Sequence, residues 1–218
     1  MTTVNRHLFF DLDGTIIDSA PTITQCLRGA ISSLGVPPPV SSDLRSFIGT
    51  SLPEIFASVL PDPSPARVRT AITAYIEHFE ECGFTDIPVF PGMQSALLSL
   101  GASGHSLYIA TAKGQDVAER IVTAAGLGVH FAAVHGTCAD SGRTTKEDVL
   151  RDAFCTHGLD PTVTVMIGDR YHDVDAALAV GARAVGVSWG YGSASEMKAA
   201  HAVANHPEAL VEVISTPA

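Results

Sequence analysis

The sequence predicts an α/β fold, a Rossmann-like parallel sheet core with helices on both faces, plus an inserted α-helical cap domain. Three observations carry this expectation. Short apolar, β-rich runs alternate with stretches of helical periodicity along most of the chain. Three of those runs end in a polar residue, Asp11, Thr111 and Asp169, and sheets of this kind bind ligands beyond the carboxyl ends of their strands. The span 17–87 breaks the alternation, showing helical periodicity and no convincing buried strand.

In chain order, "HLFFD" reads as the first strand, its apolar run stopping at Asp11, and Asp13-Gly14 just beyond it suits a tight turn. "PTITQCLRGAISSLG", "SLPEIFASVL" and "SPARVRTAITAYIEHFEECG" then read as helices, separated by the proline-rich "VPPPVSS" and "LPDPSP". They make 17–87 a small helical domain and leave 1–16 and 88–218 as the α/β core. Within the core, strands are expected at 106–111, 131–135, 163–169 and 182–189, with helices over 114–125, 145–157 and 171–180 and a last one in "PEALVEVI".

Composition narrows the chemistry. The chain has 218 residues, 46% of them hydrophobic and 17% charged, enough apolar surface for a packed core. A formal net charge of −10, with no cluster of Lys or Arg, makes nucleic acid and anionic membrane surfaces poor partners. No apolar segment is long enough to span a bilayer, and the N-terminus lacks the pattern of a signal peptide, so a cytoplasmic location is expected. The four cysteines form no CxxC pair and read as reduced thiols, and the nine histidines show no metal-ligand spacing that would suggest zinc. A GxxxxGK[ST] loop, a GxGxxG after a strand and a G-x-S-x-G elbow are all missing, which removes the common ATP, dinucleotide and serine-hydrolase routes.

The acidic residues point to a metal. On an extended chain Asp11 and Asp13 leave the same face, and like charges so close do not both stay ionised without something positive between them. "GDRYHD" adds Asp169 at another strand end and Asp173 four residues on, in the first turn of a helix. Taken singly, these residues also read as a turn, a helix cap and a surface acid. Together they suggest four carboxylates on one crevice, an oxygen-only set that favours Mg²⁺.

At this point the sequence resembles a known family. "DLDGTIIDS", "ATAK", the lysine of "TTKEDVL" and "MIGDRYHD" are similar, in order, to the four motifs of the haloacid dehalogenase superfamily of phosphohydrolases. The helical insertion, "SWGYGS" and the ending "HAVANHPEALVEVI" resemble its phosphoglycolate phosphatase-like branch. The resemblance implies a Mg²⁺-dependent phosphatase of small phosphomonoesters, with Asp11 as nucleophile and Asp13 as general acid and base. It implies a metal set of Asp11, Asp13 through its backbone carbonyl, Asp169 and Asp173, the last orienting the others. Thr111 with Ala112, and Lys146, would hold the phosphoryl group. Phosphomutases of the same superfamily would share both aspartates, and a non-catalytic Mg²⁺ or phosphate-binding module would keep the frame without turnover.

Three residues stay open on the sequence alone. Lys146 is preferred to Lys113 as the phosphate lysine, because Lys113 follows Thr111 by two residues and can point toward the cap. Gly49, with Thr50 and Ser51, reads either as a polar helix start offering free N–H groups to substrate or as a plain turn between cap helices. Ile76, after the cap's Tyr75, stands where close relatives of the branch tend to carry an arginine, which leaves a contact to a substrate carboxylate in doubt. The oligomeric expectation is a monomer or homodimer, acting on a small phosphate ester.

Overall fold

The structure, a computed structural model, describes residues 5–40 and 44–216. Its first strand, β1 (His7–Phe10), is apolar on both sides, with Leu8 and Phe10 on one face and Phe9 on the other, all fully buried. A strand covered on both faces needs such a continuous run. β1 pairs in parallel with β2 (Ser106–Gly114) and with β4 (Thr164–Gly168). β3 (Ala133–Thr137), β5 (Arg183–Val187) and β6 (Ala202–Ala204) complete an all-parallel sheet of order β3-β2-β1-β4-β5-β6. The chain winds outward from β1 to β3 and then returns to the other side of β1, so a crevice opens at the carboxyl ends of β1 and β4. Phe10 lies opposite Ile109 and Ile167, which brings Asp11, Thr111 and Asp169 to that edge.

After β1 the chain forms α1 (Ala20–Ser33), α2 (Leu52–Val59) and α3 (Pro65–Cys82). Five belong to the sheet: α4 (Met93–Ala102), α5 (Gln115–Ala124), α6 (Lys146–His157), α7 (Tyr171–Ala179) and α8 (Ala209–Ser215). Leu97, Ile121 and Ile214 of α4, α5 and α8 belong to the core on the Leu8–Phe10 face, whereas Val149, Phe154 and Val174 of α6 and α7 cover Phe9. Phe9 stacks on Tyr108 at 4.7 Å and meets Phe154 edge-on at 5.5 Å. Each such side chain contributes about 1.5–3 kcal/mol by leaving water.

Several boundaries differ from the sequence reading. β2 runs on to Gly114 through a register shift after Ala110, because β3 pairs again at Thr137 opposite Gly114. β3 correspondingly starts two residues later than its apolar run, at Ala133, and ends in the polar His135-Gly136-Thr137. α4 was not expected: its buried Met93, Ala96, Leu97 and Leu100 have helical spacing, but Ser95, Ser99 and Gly101 dilute the pattern. β6 was not expected either, being only three residues, extended because they pair with β5.

The helical segment leaves and re-enters the sheet layer at one place. Asp18 N–H donates to the Pro88 carbonyl at 2.8 Å and Phe90 N–H to the Ile16 carbonyl at 3.0 Å, so the two crossings run side by side. Tyr191, in the loop after β5, ties the outgoing crossing: its hydroxyl donates to the Asp18 carboxylate and accepts from Ala20 N–H, each at 3.0 Å. A second tie comes from Arg170, just past β4. Its Nε donates to Glu196 at 2.8 Å, and the same guanidinium donates to the backbone carbonyls of Ser46, at 3.1 Å, and Ile48. Glu196 also accepts from the N–H groups of Tyr171 and Ser193.

Arg170 therefore clasps the turn before α2 onto the end of the sheet. Arg170→Met takes the guanidinium donor from the carbonyl of the buried Ile48, and a buried unsatisfied group costs about 1–3 kcal/mol. We expect a fall in melting temperature of about 4–8 °C, together with faster amide exchange at Phe47, Ile48 and Thr50. An unchanged melting temperature and exchange pattern would show that the clasp holds nothing.

Candidate active site

β1 and β4 end together, and their next residues are acids. Asp11, Asp169 and Asp173 are all buried, and a carboxylate oxygen of each lies within 4.8 Å of the others. Three buried like charges repel, and two observations show how this fold tolerates them. Lys146, the first residue of α6, reaches in with its Nζ 2.9 Å from Asp11 Oδ1 and in contact with Asp173 Oδ1. Its helix is placed by the Thr145–Asp148 capping box, in which Asp148 N–H donates to Thr145 Oγ1 at 3.1 Å. The outer two carboxylates are also held by backbone and hydroxyl donors. Asp169 accepts from Tyr191 N–H at 2.7 Å and Thr15 Oγ1 at 3.3 Å, and Asp173 accepts from Arg170 N–H at 3.0 Å.

The crowding shows in the titration. Burial pushes the Asp11 carboxyl up to about 7, opposed by Lys146 and reinforced by Asp173 and Asp169. Asp169 is pushed up to about 6, again by burial first and then by Asp173. Burial works against the Lys146 ammonium, but the Asp11 and Asp173 carboxylates more than offset it and its pKa is raised. Three carboxylates against one ammonium leave two negative charges in a dry site. The donor set is oxygen only, so the residues present fit a hard divalent cation.

The site's backbone is correspondingly tight. Gly14 has φ +85°, and a Cβ there would sit 2.5 Å from Asp169 Oδ2. A Cβ on Gly190 would meet Asp169 Cβ at 2.3 Å and the Gly14 carbonyl at 2.4 Å. "DLDG" and "SWGYGS", far apart in sequence, thus pack on one carboxylate, and Trp189 Nε1 seals the contact by donating to the Thr15 carbonyl at 3.0 Å.

Asp13 goes elsewhere. The sequence reading brought four carboxylates together, but the chain leaves the strand after Phe10, and Asp13's Oδ2 lies 3.1 Å from Lys113 Nζ. Its Oδ1 is buried and has no partner among the described residues. Lys113 Nζ in turn sits 5.0 Å from the centre of the Phe79 ring of α3. The two lysines are therefore divided, Lys146 on Asp11 and Lys113 on Asp13.

A cavity of about 580 Å³ opens over these groups, and Asp11, Asp13, Thr111, Ala112 and Lys146 all line it together with Gly49. Thr111 is buried and its Oγ1 accepts from Lys113 N–H at 3.2 Å, a bend made by the register shift in β2. Gly49 does border the cavity, but the free donors expected of 49–51 are not all there: Thr50 N–H donates to the Phe47 carbonyl and Ser51 N–H to Glu54 Oε2. Gly49 has φ +94° and faces the Arg170 side chain, so glycine is required by the turn itself. His172, which sequence alone reads as a helix-surface residue, also lines the cavity, its Nε2 buried without a partner among the described residues. Lys113 and Tyr191 stand in stretches that the sequence singles out, "ATAK" and "SWGYGS", and Arg170 and His172 in "GDRYHD", but the contacts they make have no signature in sequence.

Comparison with known proteins agrees with this geometry. The family model described as haloacid dehalogenase-like hydrolase matches residues 8–187. A 5′-nucleotidase of Pseudomonas aeruginosa is 35% identical over 193 residues, covering 88% of this chain and 87% of the relative. The protein named tyrosine-protein kinase PtkA in Mycobacterium tuberculosis is 34% identical, over 94% of this chain and 70% of its own length. A crystal structure of a predicted phosphatase from Clostridium acetobutylicum superposes with a TM-score of 0.90 at 31% identity, covering 97% of this chain and 98% of that one. With its acidic motifs at the strand ends where the strand order reverses, and a family match spanning most of its length, this chain belongs to the haloacid dehalogenase-like hydrolases.

Proposed function

We propose that the protein is a Mg²⁺-dependent phosphatase of small phosphomonoesters, working through a phosphorylated Asp11, with 17–87 acting as a cap over the site. The observation that carries this reading is the separation of two aspartates only two positions apart. Asp11 belongs to the carboxylate cluster, while Asp13, also on the cavity wall, stands outside it with one oxygen held by Lys113 and the other buried without a partner among the described residues. That is the arrangement expected of a nucleophile beside an independent proton carrier.

A cation at the cluster would be held by the Asp11, Asp169 and Asp173 carboxylates, with the Asp13 carbonyl completing the set. Bound there, it supplies positive charge against the phosphoryl oxygens. The chain's own groups do the rest. Lys146 keeps Asp11 ionised and in place, and with Thr111 and Ala112 steadies the phosphoryl oxygens. An Asp11 oxygen attacks phosphorus as the ester P–O bond breaks, and Asp13 gives its proton to the departing alkoxide. Asp13, now a carboxylate, takes a proton from water as that water attacks phosphorus. The P–O bond to Asp11 breaks, releasing inorganic phosphate. The 5′-nucleotidase relative lends support to a monoester substrate.

The metal and pH behaviour are linked. Because the Asp11 and Asp169 pKa values are raised on folding, the metal-free folded state binds protons more tightly than the unfolded chain. These groups therefore stabilise the apo protein less as pH rises from about 4 to about 7. Mg²⁺ and protons compete for the same oxygens. Thermal unfolding with EDTA and with Mg²⁺ should show a large Mg²⁺-induced rise in melting temperature near about pH 7.5 and a small one near about pH 5. Equal rises at both would remove the cluster as the binding site. In assays of phosphate release, chelation should abolish turnover, and Mg²⁺ should restore it better than Ca²⁺, whose looser coordination misplaces the phosphoryl group.

The two aspartates are separable by substitution. Asp11→Asn should eliminate both turnover and any covalent phosphoenzyme. Asp13→Asn should slow enzyme phosphorylation by about 10²–10⁴-fold with alkyl phosphates and far less with aryl phosphates, whose leaving groups need no proton. Rapid-quench measurement of phosphoenzyme formation decides it, and equal losses for both substrate types would contradict the role of Asp13.

A further inference from the structure

The charges and surfaces of the cavity say what kind of alcohol it accepts. At about 580 Å³ it is the size of pockets that hold whole small-molecule ligands, far larger than a two-carbon acid fills. Its wall away from the acids is built by the helical segment from Ile48, Ile72, Tyr75, Ile76 and Phe79. Tyr75 and Phe79 lie with ring centres 5.8 Å apart and only 25° between planes, while Ile76 is 50% exposed. Apolar surface left open beside a set of polar catalytic groups is surface for a ligand to cover.

The positive charges are already engaged. Among the described residues lining the cavity, only Lys113 and Lys146 are cationic. Lys146 is bound to Asp11 and Asp173, and Lys113 to Asp13 with its ammonium over Phe79. The other charged residues of the wall, Glu54 and Glu80, are acidic. Arg120 behind Glu80 is clamped on it by two hydrogen bonds of 2.7 Å and stacked 3.7 Å over Phe84. A second anionic group on the substrate, such as a carboxylate two carbons from the phosphate, would find no free lysine or arginine among the described residues of the wall, and beside the acids only the imidazole of His172. It could draw Lys113 to itself only by leaving Asp13 buried and unpaired.

We propose that the substrate is a phosphomonoester whose alcohol is uncharged and carries a flat or apolar body, gripped by Ile72, Tyr75, Ile76 and Phe79, and that phosphate esters of small hydroxy acids are discriminated against. This rests on the phosphatase reading above. A nucleoside 5′-monophosphate has the required alcohol, since all its charge is on the phosphate that the core binds. The position of Ile76, on the exposed side of α3, makes it the place where one new charge can reverse the preference without disturbing the fold.

The test compares three substrates with Mg²⁺ present: acetyl phosphate, whose small acyl group needs little of the cap wall; thymidine 5′-monophosphate; and phosphoglycolate. The wild-type kcat/KM for the nucleotide should exceed that for phosphoglycolate by at least about tenfold, the size of effect one unpaired charge produces. Ile76→Arg should narrow or invert that ratio, by raising kcat/KM for phosphoglycolate about tenfold and lowering it for the nucleotide. Turnover of acetyl phosphate with phosphoglycolate equal to or better than the nucleotide in the wild type would overturn the proposal and leave the phosphatase reading standing. A ratio that Ile76→Arg leaves unmoved, in a variant with wild-type melting temperature, would overturn the assignment of the wall. Failure to release phosphate from any of the three would sink both readings together.

Discussion

The structure depends on keeping three carboxylates together in a dry place. Asp11, Asp169 and Asp173 come from two strand ends and a helix start, and nothing in an isolated sheet would favour their meeting. What makes the meeting possible is a single ammonium, Lys146, delivered by a helix whose own start is fixed by a capping box. The remaining features follow from that crowding. Glycines at 14 and 190 let two loops close on Asp169, Trp189 and Tyr191 hold those loops down, and the residual negative charge leaves the site a natural host for a divalent cation. The fold contributes geometry and the cluster contributes repulsion, so a cation held there would stabilise the protein as it bound.

Much of this was legible in the amino-acid sequence, and the reasons differ by residue. Asp11 and Asp169 were visible because each ends an apolar run, and a buried strand stopping at a carboxylate is conspicuous in a one-dimensional pattern. Lys146 was visible only through the likeness of "TTKEDVL" to a family motif, since a lysine in the first turn of a helix is otherwise commonplace. Asp13 was seen as an acid but placed too close to its neighbour, since the expectation assumed an extended chain where the backbone in fact turns at Gly14. Lys113, Arg170 and Tyr191 could not be assigned partners from sequence. Their contacts join positions separated by 100 residues, 122 to 124 residues and 173 residues, distances over which no local periodicity speaks. β6 was hidden by its length, three residues being too few to show a period, while α4 was obscured by polar residues on its solvent side.

The two lysines also show how nearly identical side chains acquire different duties. Both line one cavity and each faces an aspartate, yet Lys146 is enclosed by carboxylates and Lys113 lies between a carboxylate and the ring of Phe79. The first environment rewards charge alone. The second rewards charge together with contact to the helical segment, so any movement of α3 is felt at Asp13 through one side chain.

The Arg170 clasp has a consequence for how such a protein diversifies. Its guanidinium grips the carbonyls of Ser46 and Ile48 and leaves their side chains unread. Every amino acid brings the same carbonyl, so the clasp itself asks nothing of the side chains at 46 and 48; the fixed point of the turn is Gly49 beside them, with its positive φ. Attachment through main chain thus separates the joint from the side chains that line the cavity: those can be exchanged one at a time while the joint stays intact.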